Sequence, residues 1–314
     1  MTENPPFREN DSEAQPVHER PPTFTAWLRN RSDEELTALL TARPDLARPV
    51  PADVGALASR ATSRNAVLRA VEHLDRFTLQ VLEAVVGLGD DRLSEPVGVS
   101  AEELATALRL APTVDPGGDP LPRALAHLQE LALVWLDRGR LRPVRVLRDL
   151  LPRPARLGDP SRPLLAALPH RVVTRLADDL GPHGAGHSPV ETVAALLSDP
   201  ARLNTFLEEV GPRARQLLDS MVWGPPHGTV TDARREVTLA TADSPVEELI
   251  ARALLIPTDE ATLTLPREVG LHLRAGALFP EVFVDPPVLE GRQHPVERVS
   301  RAAAGQAFTM LRAV

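Results

Sequence analysis

Four times along this chain a serine stands three residues ahead of a glutamate at the head of an apolar-periodic stretch. The pairs are Ser32 and Glu35, Ser100 and Glu103, Ser188 and Glu191, and Ser244 and Glu247. In such a pair the hydroxyl accepts from the glutamate N–H, and the carboxylate reaches back to the serine N–H, which marks a helix start. Pro189 and Pro245 add proline at the first helical position, where its missing N–H costs nothing. The chain is therefore expected to fold as many short, sharply begun helices. Helical periodicity covers 33–42, 51–61, 64–88, 100–110, 120–133, 163–180, 189–198, 200–210, 212–222, 245–255 and 295–313. Order is expected from Thr23 onward, with Phe24, Trp27 and Leu28 on one helical face.

Strand-like segments are few. Val134–Leu136 and Arg140–Arg142 bracket the turn Asp137-Arg138-Gly139, and Leu254–Ile256 and Thr262–Leu265 bracket Thr258-Asp259-Glu260. Each pair predicts a small hairpin directly after a helix. The two hairpins look like copies. Pro143 and Val146 after the first match Pro266 and Val269 after the second, at an offset of 123 residues. Upstream, Leu79–Glu83 resembles Arg215–Asp219. Each copy reads as three helices and a hairpin, although the helix at 100–110 has only a loose counterpart between Thr229 and Ala240. That order is the winged-helix arrangement, whose third helix enters a major groove while the hairpin touches phosphate. Two unrelated helical bundles with incidental hairpins are the bland alternative.

The expected fold is thus mainly α, with tandem winged-helix-like domains, short β-hairpin wings and extra helices. The expected divisions are a disordered tail over 1–22, an N-terminal helical segment over 23–62 and a first winged-helix-like domain over 63–157. Connecting helices over 158–199, a second such domain over 200–276, and an extended segment with a terminal helix over 277–314 follow. The tail reading rests on its Pro, Glu, Asn and Gln content.

Composition narrows function. The formal charge of −8 excludes a uniformly cationic nucleic-acid binder, though not a local basic patch. There is no cysteine, which removes thiolate metal sites and is compatible with a reducing cytoplasm. No apolar stretch reaches 18 residues, so no membrane partner is expected. There is also no lysine, so nothing can play the phosphate-binding lysine of an ATPase loop. No enzyme activity, cofactor or metal is expected.

The strongest charge feature lies on and after the first hairpin. Arg138, Arg140, Arg142, Arg145, Arg148, Arg153 and Arg156 fall within nineteen residues, against Asp137 and Asp149. Guanidinium groups suit phosphate, being planar, always charged and bidentate. Arg123, His127 and Gln129 on helix 120–133 would then face bases or backbone. The opposing reading is a solvated surface set, with Arg142 and Arg148 paired to Asp137, Asp149 or Glu130. At the second hairpin Asp259 and Glu260 replace the arginines, which points to packing. His183 and His187 are four apart but sit in a Gly-rich run that favours a loop over a zinc site. Asp178-Asp179 reads as helix-end solvation, and the three tryptophans as core anchors.

Phe24–Leu28, Asp33–Leu36, Arg43–Leu46, Leu74–Thr78 and Arg301–Phe308 together resemble the N-terminal half of actinobacterial helicase-associated proteins of the XPB-like helicase family. The resemblance spreads over 23–314 and implies a link to helicases and DNA repair, with a C-terminal part that members carry and this sequence lacks. The expected function is a non-catalytic DNA-binding or helicase-accessory module, with double-stranded DNA, a helicase or that further part as partner. Localisation is expected in the cytoplasm, with nucleoid association as an option. The alternative is a protein-interaction scaffold that uses the same folds to dock a partner.

Overall fold

A computed structural model describes residues 23–89, 98–110, 119–181 and 188–284. The expected tail over 1–22, the helix at 295–313 and the loop with His183 and His187 lie outside the described residues. What is described is mainly helical, with two small antiparallel sheets.

An N-terminal layer comes first: α1 (Phe24–Arg29), α2 (Asp33–Ala42), α3 (Pro44–Ala47) and α4 (Val54–Ala61). The next group holds α5 (Arg64–Glu72), α6 (Arg76–Leu88), α7 (Ala101–Ala107), α8 (Pro120–Glu130), β1 (Val134–Asp137), β2 (Arg140–Pro143) and α9 (Val146–Leu150). Then follow α10 (Ser161–Ala166), α11 (His170–Leu180), α12 (Pro189–Ser198), α13 (Pro200–Glu209) and α14 (Pro212–Met221). The last elements are β3 (His227–Thr229), α15 (Pro245–Ala251), β4 (Ile256–Pro257), β5 (Thr262–Thr264) and α16 (Arg267–Leu273).

All four predicted serine caps form. Ser32 and Ser100 make both halves of the box. Ser188 and Ser244 accept from the glutamate N–H as expected, but the carboxylates turn elsewhere. Glu191 pairs with Arg162 at 2.6 Å, and Glu247 takes the Asp243 N–H at 2.9 Å and Arg235 at 2.9 Å. Two predicted helices are each split. The stretch 64–88 breaks before Asp75, whose carboxylate caps the Thr78 N–H at 2.8 Å and so starts α6 afresh. The stretch 163–180 breaks at Pro169, since the residue before a proline is driven out of helical geometry. Between Thr229, which ends a strand, and Ala240 there is no helix, only turns and irregular chain, so the second copy lacks one of its expected helices.

Three apolar cores result. Leu28, Leu39, Leu46, Leu57 and Ala61 bury themselves in the N-terminal layer, joined by Ala132 from the next group. A second core gathers Val81, Leu82, Val85, Leu104, Leu128, Trp135 and Leu141. The third runs from Leu164 to Val269, so the helices of 158–199 and those of 200–276 share one interior. Each fully buried leucine contributes about 1.5–3 kcal/mol. The chain then returns after α16. Leu278 is fully buried in the second core, and its N–H meets the Ala107 carbonyl at 3.0 Å.

Buried guanidinium groups join these layers. Arg43 is 2% exposed and donates to the carbonyls of Leu131 at 3.2 Å and Ala66 at 2.7 Å. Arg274 donates to Val222, Ala155, Leu278 and Arg156 carbonyls at 2.6–3.3 Å. Short helices end in unsatisfied carbonyls, and arginine carries five donors on one planar head. A chain of many short helices thus has a structural use for arginine that is separate from any ligand.

Candidate nucleic-acid interface

The first hairpin is built on a two-residue turn. Arg138 and Gly139 have φ of 50° and 80°, the left-handed pair that matches the twist of the strands, and Asp137 faces Arg140 across it. Helix α8 feeds the hairpin through Ala132, at φ 55°, while the Leu133 N–H closes back on the Leu128 carbonyl at 3.0 Å. The second hairpin is entered in the same way. Ala253 has φ 54° and the Leu254 N–H returns to the Leu249 carbonyl at 2.9 Å.

The sheets correspond as well. Val99, just before α7, pairs with Leu141 on the outer edge of β2. In the second group β3 takes that place on β5, giving the order β3-β5-β4 with His227 opposite Thr264. Helix, edge bridge, helix, helix, hairpin is the order around the first sheet. The second has β3 in place of the bridge and lacks the helix that follows it.

The eight residues expected at a nucleic-acid surface are distributed over several places. Arg123, His127 and Gln129 line a shallow cleft together with Arg31, Glu35 and Ala38. Helix α2 therefore runs beside the outer face of α8. Arg31 donates to the Gln129 carbonyl at 3.4 Å while stacking 4.4 Å over Trp27, and His127 Nδ1 lies 3.6 Å from Glu130. Arg140 holds the start of α7 by donating to the Gly98 carbonyl at 3.0 Å and to Glu103 at 2.8 Å. The Ser100 N–H, helped by Arg140, keeps the Glu103 carboxyl below its usual range. Arg142 is 17% exposed, pairs with the buried Asp137 at 2.6 Å, and lies 5.5 Å over the Trp135 ring. Arg142, Arg145 and Arg148 do line one cleft, with Trp135, Phe24 and Asp149. Arg138 stands exposed at the hairpin tip.

Three of the eight are thus open to a ligand in a simple sense. Among the described residues Arg123, Arg138 and Arg145 pair with no carboxylate, and all three are exposed. The second hairpin uses its acidic residues internally. Asp259 accepts from the Ala261 and Thr262 N–H groups, both at 2.8 Å, and Glu260 meets Arg234 at 3.3 Å.

Two residues escaped sequence reasoning. Trp223 is 39% exposed rather than a core anchor, and its ring carries the Arg274 guanidinium at 4.5 Å. Burial pushes the Arg274 guanidinium down to about 10, so it remains charged at neutral pH among its carbonyls. Nothing in the spacing of the sequence marks either residue. Among the described residues no three His, Asp or Glu side chains gather as a metal cage, and no helix is long and apolar enough to cross a membrane. No family model, characterised protein or solved structure matches this chain.

Proposed function

We propose that this chain is a non-catalytic DNA-binding module of two winged-helix-like units, whose first wing contacts duplex phosphate. The observation that carries the reading is the sheet edge. The bridge from Val99 to Leu141 on β2 supports the reading, since it gives a helix–bridge–helix–helix–hairpin order like that of a winged helix, with Arg138 exposed at the tip. Contact is led by the wing rather than by α8, because α2 lies along the outer face of that helix. Arg138, Arg145 and Arg123 supply the charge, while Arg140 and Arg142 hold the wing in shape. The helicase-accessory part of the reading rests on the resemblance of segments such as Phe24–Leu28 and Leu74–Thr78 to helicase-associated proteins.

Fluorescence anisotropy with a short duplex at two salt concentrations tests it. Arg138→Ala is expected to weaken binding uniformly across sequences and to lower the salt slope by about 1. Unchanged affinity and slope in that variant would overturn the assignment.

A second reading, a protein-docking scaffold, is favoured by one observation: the Arg31 contact to Gln129 occupies the face that a groove-reading helix needs. Under it, duplex affinity stays at the non-specific level in both the parent chain and Arg31→Ala.

A further inference from the structure

The second winged-helix-like unit differs from the first at one face. In the first, Ala132 at the left-handed helix end is sealed inside the N-terminal core. Its counterpart Ala253 instead lines a cavity of about 180 Å³. The walls are apolar: Leu168, Val172 and Leu176 on the α11 side, and Ile250, Leu255 and Ile256 opposite. The strip 234–237 crosses the opening without helical structure, and its one apolar residue, Val237, is half-buried there. Cavities of this size with such walls stay dry and accept an apolar body of about six to eight carbons.

The rim is not apolar. Arg171 and Arg175, one helical turn apart on α11, converge on a single carboxylate, that of Glu236. Arg171 Nε reaches one oxygen at 2.7 Å and Arg175 Nη1 the other at 3.1 Å. Arg234 and Arg235 stand beside them. Arg171 is 74% exposed and Glu236 36%, so the bond between them is of the kind that contributes little and exchanges readily. We infer that this cavity is a binding site for a small monocarboxylate with an apolar tail. The tail fills the space between α11 and α15, and the carboxylate replaces Glu236 on the arginine pair. Arg234 and Arg235 are held by Glu260 and Glu247, so a cationic amphiphile meets the Arg171–Arg175 pair at the mouth and an uncharged one gains nothing from it.

Octanoate is a suitable probe, titrated calorimetrically into the whole chain below its micellar range. Saturable binding at one site per chain is expected, with octanol and octylammonium at least about tenfold weaker for want of the charge-assisted hydrogen bonds. Glu236→Gln removes the competing carboxylate and tightens octanoate binding several-fold. Ile250→Phe fills the cavity and weakens it at least about tenfold. Should that variant fold poorly, Val172→Phe does the same from the other wall. Octanol binding as tightly as octanoate, unchanged affinity in a folded cavity-filling variant, or no saturable binding would each overturn the proposal.

Discussion

Val99 and Leu141 exchange both backbone hydrogen bonds, Val99 N–H to Leu141 at 3.0 Å and Leu141 N–H to Val99 at 2.8 Å. Thr264 stands 123 residues after Leu141, the offset that also separates Pro143 from Pro266, and it faces His227 in the equivalent place. Covering the outer edge of each hairpin removes a row of unpaired donors and acceptors. It also ties the hairpin to the segment ahead of α7 in the first case and ahead of the turns in the second. The two segments share the hairpin and its attachment, and differ in what surrounds them.

Arg142 and Arg138 are expected to separate stability from binding. Arg142→Ala strands the Asp137 carboxylate, 5% exposed, without its guanidinium and lowers unfolding free energy by about 3 kcal/mol. Arg138→Ala changes it by less than about 0.5 kcal/mol, because the side chain touches nothing that folding needs. Urea denaturation of the two single variants checks this. Under the proposed function, a combined Arg138, Arg140 and Arg142 variant would weaken duplex binding for two reasons at once and is the poorer experiment.

Arg274→Ala is expected to be among the most damaging single substitutions. It leaves buried carbonyls of Ala155 and Leu278 without donors and uncovers Trp223, at a cost of about 3–5 kcal/mol. Lysine does not rescue it, since a point charge with three donors cannot span carbonyls arranged around a planar head. The measurements are the urea midpoint and amide exchange of the 275–282 segment, which should open ahead of α6.

Much of this was legible because it is local. The serine caps fix where α2, α7, α12 and α15 begin, and the turn Asp137-Arg138-Gly139 marks the first hairpin. The site was less legible because charge density along the sequence does not say which arginines are spoken for. Arg140 reads like Arg138, yet Glu103 claims it in the folded hairpin, while the Arg142 pair with Asp137 is the one the opposing reading of the sequence named. The missing helix in the second unit was foreshadowed by the loose match of Thr229–Ala240. The cavity beside that strip depends on α11 packing, which no short-range pattern encodes.

Gly158 is expected to accept no side chain. A Cβ there would collide with the Leu265 carbonyl oxygen, where the chain between the second and third cores is pressed onto β5. The neighbouring bonds, Arg267 N–H to Asp159 at 3.0 Å and Ser161 N–H to Glu268 at 2.9 Å, hold both backbones in place. Gly158→Ala should therefore cost about 1–3 kcal/mol, read as a lower thermal midpoint, while Gly139→Ala costs through its φ of 80° alone.

Two groups give the stability opposite slopes with pH. Burial, then the charge of Arg153, holds the His227 imidazole below its ordinary value, with Asp159 opposing. The unfolded chain then takes up a proton that the folded chain refuses. Stability is fully present above the ordinary histidine range and is lost as pH falls through it, levelling once the folded group also protonates. Burial raises the Glu83 carboxyl, against the Ala155 N–H and Arg156, so its stabilising contribution is present below the ordinary glutamate range and is lost as pH rises through the raised value. His227→Gln should flatten the acid-side slope just below neutrality. Glu83→Gln, which keeps an acceptor for the Ala155 N–H at 2.7 Å, should gain on the parent chain at pH 7 and converge with it near pH 4. Urea midpoints across that range decide both. A Glu83→Gln advantage that persists undiminished at pH 4 would mean that the carboxyl is not the titrating group.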